Sequence, residues 1–277
     1  MKRSLAAIAT ALFLLSACGL FPDKADATRD WPAARLYKEA KDELNSGNYE
    51  QAIKYYETLE ARYPYGAYSQ QAQLDLAYAY FKQEESASAV AACDRYIKLY
   101  PNSEGVDYAY YLRGLANFNQ GAGLVERYLP TDPSQRDPGA AAQSFNDFTE
   151  LAKRFPNSKY TEDARARMVY LRNILAQHEV NVAKYYMRRE AYVAAANRAR
   201  YVVENYQGAP AMPEALSIMA KAYKVLGMDD LANDALRVLE LNFPNHPGLQ
   251  DARETVVRRS EERRVGKECR SRWSPYP

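Results

Sequence analysis

The chain has 277 residues, 47% of them hydrophobic, which is enough for one or two domains or a single repeat array with a sizeable core. Its 37 basic and 35 acidic residues leave a formal charge of +2, so nothing in the balance calls for nucleic acid as a partner. The three cysteines, Cys18, Cys93 and Cys269, are too few and too widely spaced for a disulfide framework or a metal site. Tyrosine is abundant, 24 residues against 8 phenylalanines, and serves equally in half-buried helix faces and in partner contacts.

The first segment reads as an export signal. Lys2 and Arg3 precede an apolar stretch, Leu5 to Leu15, that is too short to span a bilayer. The following Leu15-Ser16-Ala17-Cys18 puts small residues before a cysteine and resembles the bacterial lipobox. Residues 1–17 are therefore expected to be a lipoprotein signal peptide and Cys18 the lipidation site. Each buried acyl methylene contributes about 0.8 kcal/mol, and several chains together anchor stably. Gly19 stands where an aspartate would resemble an inner-membrane retention signal, so the expected place is the outer membrane, on its periplasmic face. Residues 18–31 read as a lipidated tether.

A repeat occupies the middle. Glu60-Ala61-Arg62-Tyr63-Pro64 recurs as Ile97-Lys98-Leu99-Tyr100-Pro101, Ala152-Lys153-Arg154-Phe155-Pro156 and Glu240-Leu241-Asn242-Phe243-Pro244. Val203-Glu204-Asn205-Tyr206-Gln207 is the same phrase without proline. Each phrase follows an amphipathic stretch, and proline just past a helix end is a natural stop. Small residues stand upstream at one fixed offset (Ala52, Ala89, Ser144, Ala195, Ala232) and, once the third repeat is adjusted for its insertion, at another (Ala40, Ala77, Gly114, Ala183, Ala220). Tyr56, Cys93, Phe148, Ala199 and Leu236 follow the first set by one helical turn. Small residues on both helices of a hairpin let the axes approach, and the larger residue plugs the gap. Cys93 is then a core plug rather than a nucleophile. Gly47, Gly121 and Gly227 fall where the hairpins turn. The pattern predicts an all-α fold, a superhelical array of about five tetratricopeptide helix-turn-helix repeats.

The anchors at Pro64, Pro101, Pro156, Gln207 and Pro244 are 37, 55, 51 and 37 residues apart. The first excess places a loop insertion at 122–139, rich in proline, inside the third hairpin. The second follows Pro156, where Thr161 to Tyr186 contains neither proline nor glycine and Met168, Leu171, Leu175 and Val182 keep a helical period. One long helix is expected there, lengthened by about 21 Å. The organisation is then repeats one to three at 32–156, and the long helix with repeats four and five at 157–252.

No catalytic arrangement is legible. His178 and His246 have no ligand spacing around them, and there is no phosphate loop, nucleophile elbow or paired-cysteine motif. The expectation is a protein that is not an enzyme, with no catalytic residues, no metal and no cofactor, which binds extended or helical peptides in a groove of stacked hairpins.

From Tyr63 to Leu76 the sequence YPYGAYSQQAQLDL is more specific than a generic repeat. With Asp107 to Leu115, Arg136-Asp137-Pro138, Phe145 to Phe148, Phe155 to Tyr160, Val182 to Tyr186 and Tyr192 to Arg198, it resembles the BamD family, lipoproteins of the outer-membrane β-barrel assembly machinery. The resemblance runs from Cys18 to about Ala252. It implies that repeats one to three meet the targeting strand of unfolded outer-membrane proteins. It also implies that repeats four and five hold the central barrel-assembly protein through its POTRA domains, and that accessory lipoproteins dock as well. Tyr65, Tyr68, Gln71 and Asp75 lie in the most specific phrase and are expected to contact substrate peptide. Arg198 matches an arginine associated in the family with coupling to the barrel protein. Another exported tetratricopeptide adaptor, for the cell envelope or for division, is the alternative, and such adaptors usually lack the lipobox and the Pro64–Leu76 phrase.

The far end breaks the pattern. Arg259 to Tyr276 has no apolar period and is similar to a translated sequencing adapter, so 259–277 is expected to be non-native. Its six basic and three acidic residues account for +3, and without it the formal charge falls from +2 to −1.

Overall fold

The computed structural model describes residues 28–120 and 132–255. The signal segment, Cys18, Gly121, most of the 122–139 loop, Cys269 and the 259–277 tail lie outside them. Among the described residues every regular element is helical: α1 (Ala33–Ser46), α2 (Tyr49–Arg62), α3 (Ala67–Lys82), α4 (Ser86–Leu99), α5 (Val106–Gln120), a 3-10 turn (Pro133–Gln135), α6 (Gly139–Arg154), α7 (Thr161–Arg188), α8 (Tyr192–Asn205), α9 (Met212–Leu226), α10 (Asp229–Asn242) and α11 (Gly248–Arg253).

The repeated phrase has one structural meaning. α2, α4, α6, α8 and α10 each end on an aromatic cap, Tyr63, Tyr100, Phe155, Tyr206 and Phe243, in nearly the same conformation, with φ from −120 to −140° and ψ from 45 to 64°. Each cap N–H donates to the carbonyl four residues back, which closes the helix, and the bent backbone points the chain toward the next hairpin.

Turns between hairpin partners also repeat. α1 and α9 stop at Gly47 and Gly227, whose φ values of 85° and 73° suit glycine. Glu84 and Glu190 adopt the same left-handed conformation, at 65° and 59°. All four turns close with the same pair of bonds, for example Glu190 N to Met187 O at 3.1 Å and Ala191 N to Tyr186 O at 3.0 Å. A side chain in this region is strained. Glu190→Gly is therefore expected to stabilise the protein by about 0.5–1 kcal/mol, after the entropy glycine adds to the unfolded chain. A thermal melt should rise by about 1–3 °C. An unchanged or lower midpoint counts against the strain.

The small positions are buried. Ala40, Ala52, Ala77, Ala89, Ala183, Ala195 and Ala220 have no exposed surface, nor has Ser144. Tyr56, Cys93, Phe148 and Ala199 fill the space beside them and are fully buried, whereas Leu236 is only partly so. At the tightest approach Ser144 Oγ donates to Gly114 O at 2.8 Å, and a Cβ on Gly114 would lie 2.5 Å from Phe148 Cε1.

The chain divides into two compact units, Met1–Ala79 and Tyr80–Pro277. The first holds the hairpin of α1 on α2 and most of α3. In the second, consecutive helices from α4 to α10 pack in series, and α11 covers α9 and α10. The boundary lies inside α3. The 28 residues of α7 pack against α6, α8, α9 and the 3-10 turn, so repeats three and four share one unit.

Candidate partner-binding surfaces

Four of the singled-out residues, Tyr65 just before α3 and Tyr68, Gln71 and Asp75 within it, divide into two roles. Ser69 Oγ donates to Pro64 O at 2.7 Å and closes the Pro64-Tyr65-Gly66 turn, where Gly66 takes φ 129°. This leaves Tyr65 90% exposed and Tyr68 40% exposed, the Tyr68 ring 5.4 Å from that of Tyr37. Gln71 is exposed as well. Asp75 is not. It is buried, and accepts hydrogen bonds from Lys41 Nζ at 2.9 Å, Tyr37 OH at 3.1 Å, Tyr56 OH at 3.2 Å and Gln71 Nε2 at 3.1 Å. One carboxylate thus ties α1 and α2 to α3. Burial first, and then the Asp75 charge, push the Tyr37 phenol up to about 12 and that of Tyr56 higher still, so both stay donors at neutral pH. Asp75 thus holds Tyr37, the neighbour of Tyr68, and Gln71, and does not present a free carboxylate at the surface.

Arg198 is on α8, with its side chain about half exposed. Its Nη1 lies 3.1 Å from Glu179 Oε2 and 3.4 Å from Oε1, on α7. The fork is held from one corner, and Nε and Nη2 make no hydrogen bond among the described residues. A half-exposed pair of this kind contributes little to stability. What it does is hold a guanidinium in place with Nε and Nη2 donors to spare.

Two features escaped the sequence reading. Arg113 on α5 is largely buried and meets Asp94 at 2.6 Å, Asp147 at 2.9 Å and Glu150 at 3.1 Å. Asp147 is itself buried and accepts from Asn117 Nδ2 at 2.7 Å. Burial raises the Asp147 carboxyl above its ordinary range, and the Arg113 charge opposes the shift. In sequence Arg113 looks like any helical arginine; nothing local says its face is covered. The second feature is a half-exposed aromatic strip. Tyr111 stacks on Tyr160 at 4.9 Å, Tyr108 approaches Tyr160 at 5.2 Å, and Arg167 lies 5.5 Å over Phe118. The spacing of Tyr108, Tyr111 and Phe118 on one helical face was a readable signal.

Cys93 has no exposed surface, and burial drives its thiol well above the usual range, which agrees with a packing role. Among the described residues no group of three or more His, Cys, Asp or Glu could hold a metal ion, and no helix is long and apolar enough to cross a membrane.

The chain matches the family model YfiO, described as outer membrane lipoprotein, over residues 29–239, a span that takes in all but the last turns of the repeats. It is 47% identical to the outer membrane protein assembly factor BamD of Neisseria meningitidis serogroup B, over 90% of this chain and 94% of that protein. The BamD proteins of Xylella fastidiosa and Vibrio cholerae are each 39% identical, over 89% and 84% of this chain and 84% and 95% of theirs. Helical hairpins from end to end of the described chain, with this similarity running through them, place the chain in the outer membrane lipoprotein family of the BamD assembly factors.

Proposed function

We propose that this protein is a scaffold of the outer-membrane β-barrel assembly complex, doing no chemistry itself and held by lipid on Cys18 at the periplasmic face of the outer membrane. The observation that carries this reading is the similarity to outer membrane protein assembly factors across every repeat. Repeats one to three receive the targeting strand of unfolded barrel proteins, with Tyr65, Tyr68 and Gln71 as contacts and Asp75 as the residue that holds Gln71. Repeats four and five hold the central barrel protein through its POTRA domains, and Arg198 belongs to that interface. Accessory lipoproteins of the complex dock elsewhere on the array.

The test of the interface is a titration against purified POTRA domains. Arg198→Glu should weaken binding about tenfold or more, equivalent to about 1.4 kcal/mol, with an unchanged circular dichroism spectrum. A folded variant that binds as tightly as before removes Arg198 from the interface. The test of the anchor is fractionation. Cys18→Ser should leave the outer-membrane fraction and accumulate as soluble or unprocessed protein. Unchanged flotation with outer membranes, in cells lacking the partner proteins, would sink the lipobox reading.

A further inference from the structure

The face of α7 carrying His178, Asn181, Val182, Tyr185 and Arg188 is a single stripe at helical spacing. The 3-10 turn covers its first part. His178 Nδ1 donates to Ser134 O at 2.9 Å and Asn181 Nδ2 to Ser134 Oγ at 3.0 Å, and Ser134 is itself 2% exposed. Asp132 holds the turn from behind, accepting from Ser134 N at 2.9 Å and from Ser134 Oγ at 2.8 Å. The stripe then runs on for more than a turn, and among the described residues Tyr185 and Arg188 on it are exposed. Between the turn and this exposed part lies an open cleft of about 460 Å³, and Tyr185 on its wall is 46% exposed.

The cleft is cationic. Arg188 lines it, Lys184 lines it as half of an ion pair, no carboxylate among the described residues does, and Arg189 lies 5.4 Å over the Tyr185 ring. Of the acidic groups nearby, Glu214 pairs with Lys184 at 2.6 Å and Asp132 accepts from Ser134, while Glu190 lies exposed just past the end of α7. Arg188 is exposed and makes no ion pair among the described residues. Part of this charge offsets the helix dipole at the end of α7. That role needs no cleft and no exposed tyrosine beside the charges.

We propose that this cleft is a docking site for an acidic peptide segment of a partner protein, lying along α7 in line with the 3-10 turn. A carboxylate of the segment pairs with Arg188, an apolar or aromatic side chain packs on Tyr185, and the polar edges of Asn181 and Gln135 meet its backbone. The inference goes beyond the assembly-factor reading and does not depend on it.

The experiment uses the purified full chain and a fluorescein-labelled peptide, Asp-Glu-Tyr-Glu-Asp, with Asn-Gln-Tyr-Gln-Asn as its uncharged counterpart. Fluorescence anisotropy should show the acidic peptide binding about tenfold more tightly than the amide peptide, and less tightly as salt rises. Arg188→Gln and Tyr185→Ala should each weaken it by about fivefold or more, with melting temperatures unchanged, and the bound peptide should slow hydrogen exchange in α7. Equal binding of the two peptides, no binding of either, or full binding by both variants overturns the proposal. So does Arg188-dependent binding to phosphatidylglycerol vesicles without peptide binding, which would make the patch a membrane contact.

Discussion

Arg113→Met is expected to destabilise the protein by about 3–5 kcal/mol, because it leaves a buried carboxylate without its counter-charge. Methionine matches the arginine stem in bulk, so little packing is lost, and the effect isolates the charge. Asp147 has 1% of its side-chain surface exposed and cannot turn to water. Asp94 and Glu150, about half and one-third exposed, can. The folded-state pKa of Asp147 is raised, so its protonated form is the one folding favours. Its contribution to stability is largest below the ordinary carboxylate range and is lost as pH rises through the raised value. Without Arg113 that raised value climbs further. The variant's deficit, read from urea unfolding, should therefore be larger at pH 8 than at pH 5. Arg113→Met with Asp147→Asn should recover part of the loss, since the amide oxygen can still accept from Asn117. Equal deficits at both pH values would show that packing, not charge, sets the cost.

Phe148→Ala should cost about 3–5 kcal/mol by emptying a fully buried aromatic site, and its coupling to Gly114 should reverse a sign. In the natural background Gly114→Ala forces a methyl to within 2.5 Å of the Phe148 ring, which has no exposed surface and no room to retreat. Overpacking of this kind costs about 1–3 kcal/mol. In the Phe148→Ala background the obstruction is gone. Alanine then has better helix propensity than glycine by about 1 kcal/mol and fills part of the cavity, so the same substitution should stabilise. A double-mutant cycle measures the coupling. Additive effects would mean that the two helices can move apart, contrary to the bond between Ser144 and the Gly114 carbonyl.

Helix breaks, hairpin boundaries and the small positions of the helix contacts were legible in the sequence because they are local and periodic. An aromatic-proline phrase ends a helix wherever it stands, and an alanine at a fixed offset marks the face that a neighbour can approach. The same logic found the core role of Cys93 and the length of α7. It failed where the outcome depends on which side chains the array brings together. Asp75 reads in sequence as one more polar residue in a specific phrase. Only the approach of Tyr37, Lys41 and Tyr56, from two other helices, turns it into a buried anchor. Arg198 is singled out by resemblance alone, and its Glu179 partner comes from the preceding helix, 19 residues away. Arg113 and Asp147 are 34 positions apart, and no periodicity could say that they would share one buried site. Repetition within the chain thus determined the all-helical fold and its unit. Tertiary packing decided which charges are buried and paired and which remain for a partner, because desolvation and pairing depend on distance in space and not along the chain.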